Sequence, residues 1–330
     1  MNGRYNGWGM RDVCLWKAVM VAGWMLSGLG VLPCDAREKE VVAALKADVA
    51  VLAKDIGPRS VFQGDSLARA AVFVAKRFEA MGYEVKRNEY AVGGVVCANL
   101  EVERLGTKAP HEIVVIGAHY DTVPQTPGAD DNASGVAALL ALAETWAKAA
   151  PERTVRFVAF ANEEPIYFQT ELMGSRVYAK ACKARGDKIV VMLSLETMGY
   201  FSDEKKSQKY PFPLSLFYPS RGNFIAVVGN RESKALVKRV SKALGAAKAV
   251  PVESASLPGG LQGVGWSDHW SFWQEGYPAV MITDTAPFRN PNYHRETDTA
   301  DTLDYVRLAA AVRALEAAVV DLTQAGTKKK

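Results

Sequence analysis

The chain has 330 residues, 49% of them hydrophobic, and a formal net charge of +4. That apolar content supports a buried core and excludes an intrinsically disordered chain. The charge sits at the two ends, in residues 1–36 and the Lys328–Lys330 tail, so the body is formally neutral and offers no basic surface for nucleic acid.

At the N-terminus, Arg4, Arg11 and Lys17 precede an apolar run from Ala18 to Leu32 that ends at Cys34-Asp35-Ala36. Basic flank, apolar centre and small residues at −3 and −1 are the marks of an export signal cleaved after Ala36. Two alternatives stay open, retention as an N-terminal membrane anchor and lipidation at Cys34, which Pro33 fits poorly. The run is short for a spanning helix, which needs ~20 apolar residues. The expected location is exported, whether periplasmic, extracellular or membrane-anchored. Residues 37–325 then form one folded domain, and 326–330 a basic flexible tail.

Helical spacing covers residues 39–55, closed by Gly57-Pro58, and again Leu67 to Met81, closed by Gly82. Strand-like runs follow at Glu84–Tyr90, Val95–Val102 and Glu112–Ala118. From there the pattern alternates: helix Ala133–Lys148, strand Thr154–Phe160, helix Met173–Ala184, strand Lys188–Leu195. The Pro- and Lys-rich interval 202–222 interrupts it and is expected to be a surface excursion. Strand Phe224–Val228, helix Arg231–Leu244, strand Ala249–Glu253, a short helix from Asp268, strand Ala279–Thr283 and a long helix from Leu303 to Thr323 complete the chain. Such alternation predicts an α/β fold with a mixed, largely parallel central sheet and helices on both faces. Cys97 and Cys182 read as buried thiols, with a disulfide after export as the alternative.

The chemistry gathers at predicted strand ends. His119, one of four histidines, closes the strand before Asp121, and in open α/β sheets ligands bind at that edge. Asp121 is placed to take the second ring N–H of His119 and fix its tautomer. Asp130 and Asp131 open a helix; capping accounts for one acidic residue there but not for two. Glu163 and Glu164 follow another apolar strand, and their mutual repulsion needs a cation or a proton. Adjacent glutamates can divide the work, one binding a metal and the other acting as base toward water. Glu196 ends a third strand, and His294 lies on a loop before the last helix. Asp268 and His269 are expected to cap a helix and to support the wall of the site, with a second catalytic pair as the alternative.

Together the segments GAHYDTV, GADDNASG, NEE, LET and YHRETDT, in this order and joined by SDHWSF at 267–272, resemble the M28 family of zinc peptidases. The resemblance covers most of the chain from about residue 39. It implies a zinc exopeptidase-like three-layer sandwich and two zinc ions per chain. Asp131 would bridge both ions, with Glu164 and His294 on one and His119 and Glu196 on the other. Glu163 would be the general base, acting on a metal-bridged water, and Asp121 the orienting residue behind His119. The donor set of N and O atoms suits zinc, with cobalt or manganese as substitutes.

The implied activity is that of an aminopeptidase acting on the N-terminal residues of peptides. Alternatives on the same fold are a single-zinc glutaminyl cyclase, a carboxypeptidase, and an inactive binding domain. One departure is Glu196, where many well-known aminopeptidases of the family carry Asp. Another is the aromatic segment 165–170, expected to shape the substrate pocket or to be an ordinary surface loop.

Overall fold

The computed structural model describes residues 34–326, and contacts divide the chain after Lys39. The expected export signal at 1–36 falls almost wholly outside the described residues, as does the basic tail from residue 327. Of the first unit only the start of helix α1 (Cys34–Ala50) is described. Among the described residues no helix is long and apolar enough to cross a membrane.

The second unit is built on one eight-stranded sheet. Its strands are β1 (Lys86–Val92), β2 (Val95–Arg104), β3 (Ala109–His119), β4 (Arg153–Phe160), β5 (Lys188–Glu196), β6 (Ile225–Gly229), β7 (Val252–Ser256) and β8 (Ala279–Thr283). They lie in the order β1-β2-β4-β3-β5-β8-β6-β7. β4, β3, β5 and β8 run parallel, β2 and the β6–β7 pair run against them, and the edge strand β1, antiparallel to β2, shares the direction of the centre. The parallel centre and antiparallel flanks match the mixed sheet expected from the alternation of elements.

Period-two alternation explains the layers. On β3 and β4, Val114, Ile116, Ala118, Phe157 and Ala159 point into one core, and Val115, Val158 and Phe160 into the other. The first core packs against α1, α2 (Ser66–Ala80), α3 (Gly135–Trp146), α5 (Lys234–Ala246) and α7 (Tyr305–Thr323). The second packs against α4 (Gly174–Arg185) and α6 (His269–Gln274). Central strands buried on both faces need side chains that are apolar throughout, as VVIGA and VMLSL are. Cys97 and Cys182 are free buried thiols.

Candidate metal centre

Because β3, β4, β5 and β8 are parallel, their C-terminal ends share one edge. His119 is the last residue of β3, in register with Phe160 at the end of β4. Glu196 closes β5 beside Thr283, the last residue of β8. Glu163 and Glu164 follow β4 directly, and His294 comes from the loop after β8. The remaining acid, Asp131, lies in the loop after β3, where backbone angles of −108° and 91° take it out of the helical path. Ahead of it Gly128 adopts φ +62°, and a Cβ there would stand 2.3 Å from Thr122 Cγ2 and 2.4 Å from the Asp131 carbonyl. Only glycine permits that turn.

These elements bring the six side chains into one cluster. His119 Nε2 lies 3.4 Å from Asp131 Oδ1, 3.3 Å from Glu196 Oε2 and 3.9 Å from Glu163 Oε2. His294 Nε2 lies 3.0 Å from the other Asp131 oxygen and 3.3 Å from Glu164 Oε2. Donor atoms within 4.8 Å of one another fall into His119–Asp131–Glu196 and Asp131–Glu164–His294, with Asp131 common to both. His119, Glu163 and Glu164 form a further such group. All are buried except His294, whose side chain keeps 32% exposure and so marks the mouth of the site.

Hydrogen bonds hold the cluster from behind. Asp121 accepts the amides of both Glu163 (3.0 Å) and Glu164 (3.1 Å) and stands 3.4 Å from His119 Nδ1. Asp298 accepts the amides of Asp130 and Asp131 at 2.9 and 3.1 Å. Asp130 itself turns away, taking the Gly199 amide and the Asn290 side chain. The pair Asp130-Asp131 is thus split between support and centre, and neither caps a helix. Ser267 donates to Glu196 Oε2 at 2.7 Å.

Electrostatics set this cluster apart. Burial, then the charges of Glu196, Glu164 and Asp268, push the Glu163 carboxyl well above the carboxylate range against the pull of His119. Glu164 is pushed up to about 8 by burial and Asp131, with His294 opposing. Burial works against a charged His294, yet Asp131 and Glu164 outweigh it and raise the ring to about 10. The buried cation Arg59 gives its guanidinium donors to the carbonyls of Leu52, Gly57, Tyr120, Pro127 and Gly128. Both ring nitrogens of His119, Nε2 of His294, and one oxygen each of Asp131 and Glu164 have no hydrogen-bond partner. Buried polar atoms are rarely left so. Imidazole nitrogens and carboxylate oxygens converging without a thiolate fit zinc or a similar divalent ion.

Three expectations change. Asp268 precedes α6 but makes no capping bond. Its carboxylate is fully buried with both oxygens unpartnered, and burial together with Glu196 and Asp121 raises it to about 7 against the pull of His119. It belongs to the acidic cluster. Segment 165–170 contributes nothing to the cavity beside Glu196: Ile166 is exposed and Gln169 bonds to the Gly265 carbonyl in a separate depression, which leaves the surface-loop alternative of the two expected. Instead the 202–222 excursion supplies Tyr210, Pro211, Leu214 and Tyr218 to the cavity that Glu196 and Tyr293 open onto. Its proline and lysine content signalled a loop; the stacking of Tyr210 on Tyr218 (5.6 Å) and the bond of the Tyr218 hydroxyl to the Ser254 carbonyl show how it folds back. His269 is fully buried at the start of α6, where Nε2 meets the Val264 carbonyl at 2.8 Å and its ring packs on Trp273.

Comparison with known proteins accords with this geometry. The profile of peptidase family M28 matches residues 99–319. The chain is 39% identical to the uncharacterized protein YfbL of Escherichia coli, over 81% of this chain and 84% of that one. Aminopeptidases among its curated relatives are longer, and the chain covers 46% of YwaD of Bacillus subtilis. Its fold superimposes on a zinc aminopeptidase from Bacillus subtilis with a TM-score of 0.69 at 15% identity, covering 86% of this chain and 95% of that one. It also superimposes on a glutaminyl cyclase from Bacteroides thetaiotaomicron with a TM-score of 0.64 at 18% identity, covering 86% and 97%. Those two likenesses show the fold alone. The chain belongs to peptidase family M28.

Proposed function

We propose that this peptidase-family chain is a two-zinc aminopeptidase, removing N-terminal residues from peptides. The observation that carries it is the pair of donor groups sharing Asp131, with Glu163 beside them and no lysine or arginine on any of their carboxylates. His119 and Glu196 would hold one ion, Glu164 and His294 the other, and Asp131 both. Glu196, where many aminopeptidases of the family carry aspartate, keeps a carboxylate oxygen within 3.3 Å of His119. Bound zinc supplies Lewis-acid chemistry, polarising a carbonyl and lowering the pKa of water from 15.7 to roughly 7.

The chain's own residues do the rest. Glu163 takes a proton from the attacking water and returns it to the leaving amine. Asp121 fixes the backbone of both glutamates, so base and ligand keep their relative placement. Asp121, Asp131, Glu163, Glu164, Glu196 and Asp268 are all buried here. A site walled by acidic groups favours the ammonium of a peptide N-terminus over a C-terminal carboxylate, which supports an aminopeptidase over a carboxypeptidase. An export signal at residues 1–36 would place the enzyme outside the cytoplasm.

Metal content per chain, measured with the release of aminoacyl anilides before and after chelation, tests this. About two zincs with chelator-sensitive hydrolysis is the expected result, and Glu196→Ala should lower the stoichiometry toward one. One zinc, no hydrolysis and cyclisation of an N-terminal glutamine would overturn it in favour of a cyclase.

A further inference from the structure

The register of the sheet carries a charged side chain into an apolar wall. Glu196 on β5 stands beside Thr283 on β8, Thr283 beside Ala226 on β6, and Ala226 beside Glu253 on β7. This is one row across four strands, with the candidate zinc ligand at one end and Glu253 at the other. Three strand spacings of about 4.8 Å put their backbones roughly 14 Å apart. The next row on the same face begins at Ser194 on β5 and is apolar beyond it: Met281, Val228 and Ala255.

These rows floor a cavity of about 90 Å³, room for one side chain when a water needs roughly 10–15 Å³. Tyr210, Tyr218, Phe224, Trp266 and Phe288 surround it, and Tyr293, stacked on His294 at 3.9 Å, stands at the metal end. The Tyr210 and Tyr218 hydroxyls donate to the carbonyls of Pro219 and Ser254, not to Glu253. Arg289 lies 4.5 Å from the Phe224 ring and gives Nε and Nη1 to Gln208, Tyr200 and the Phe224 carbonyl. Glu253 has no ion pair or hydrogen bond to a described side chain. Burial alone acts on its carboxyl, raising it above the usual range.

We propose that this cavity receives the side chain of the substrate's N-terminal residue and selects a cationic one, lysine or arginine, with its charged head on the Glu253 carboxylate. The proposal rests on the aminopeptidase reading and adds a substrate class to it. A half-buried carboxylate among apolar side chains is costly until paired. Aromatic faces attract a cation as well, and the apolar floor between Glu196 and Glu253 suits the methylene stem of a long basic side chain. Leucine would fill the apolar part and leave Glu253 without a partner.

The zinc-loaded full chain should be assayed on arginine, lysine, norleucine and glutamate p-nitroanilides. The expected kcat/KM for arginine and lysine exceeds that for norleucine by roughly 10- to 100-fold, the value of a hydrogen-bonded charge. In Glu253→Gln that ratio should collapse toward one, and in Glu253→Lys the glutamate substrate should overtake arginine. A wild-type ratio near one, or a ratio that Glu253→Gln leaves in place, overturns the proposal. A second readout needs no turnover: calorimetric titration of L-argininamide and L-norleucinamide into the same proteins. Tighter argininamide binding that is lost in Glu253→Gln supports the pocket even where no anilide is cleaved, a result that would count against the aminopeptidase reading instead. Equal affinity for the two amides in the wild type overturns the pocket.

Discussion

Two acid-rich clusters sit on the same sheet and behave in opposite ways. At one, Glu103 accepts from Lys86 (2.7 Å) and Arg156 (2.8 Å), Asp187 accepts from Arg156 and Arg185, and Glu101 accepts from the Tyr178 hydroxyl. Burial there would raise Glu103 and Asp187, but their arginine and lysine partners hold both below the ordinary carboxylate range. At the other, histidines are the positive groups within ion-pair distance of Glu163, Glu164 and Glu196 among the described residues, and all three carboxyls are raised. The first cluster carries its cations within the chain; the second is arranged for cations from outside. Charge balance separates an ion-pair network from a metal centre more clearly than acidic content does.

Three measurements test that contrast. The largest effect is expected from Glu163→Gln, which should lower turnover roughly 10²–10⁴-fold with zinc content and melting temperature unchanged; near-normal turnover would remove Glu163 from the mechanism. Next, Arg156→Met strips the self-neutralised cluster of its central cation. It should cost on the order of 3 kcal/mol, the low end for a buried pair because some exposure remains, while zinc content stays as it was. Loss of zinc in that variant would mean the clusters are not independent.

The smallest effect is a pH slope in the chelated protein. Glu164 at about 8 and Asp268 at about 7 lie above their unfolded values, so the folded state binds more protons between about pH 4 and pH 8. Stability then falls as pH rises through that window. His294, raised to about 10, acts in the same direction above its unfolded value. Zinc, which requires deprotonated ligands, should flatten the slope. Urea midpoints at pH 5 and pH 8 decide it, and a chelated protein more stable at pH 8 would contradict the unneutralised cluster.

Most of the sheet could be read from the chain because buried parallel strands need uninterrupted apolar runs, and the acids and histidines stand directly after those runs. His119, Glu163, Glu164 and Glu196 carry that local signal. Asp268 does not: an acid before a short helix reads as a cap, and only packing of α6 against the sheet turns its carboxylate inward. Asp298 is hidden in the same way, since its bonds to the Asp130 and Asp131 amides span 168 and 167 positions. The fold of 202–222 over the cavity depends on aromatic contacts far apart in sequence, so proline and lysine content alone pointed to solvent.

Arg59 sets a limit on how the N-terminus can be trimmed. Its side chain, fully buried, ties the Leu52 and Gly57 carbonyls to those of Tyr120, Pro127 and Gly128, while its backbone pairs with Thr122 in both directions. The segment upstream of the sheet is therefore a buttress for the loop that carries Asp131. A protease that removes residues up to Ala36 leaves this buttress whole. One that cuts after Arg59 would take away the clasp, and the shortened protein would lose its hold on metal although every ligand remained in the chain.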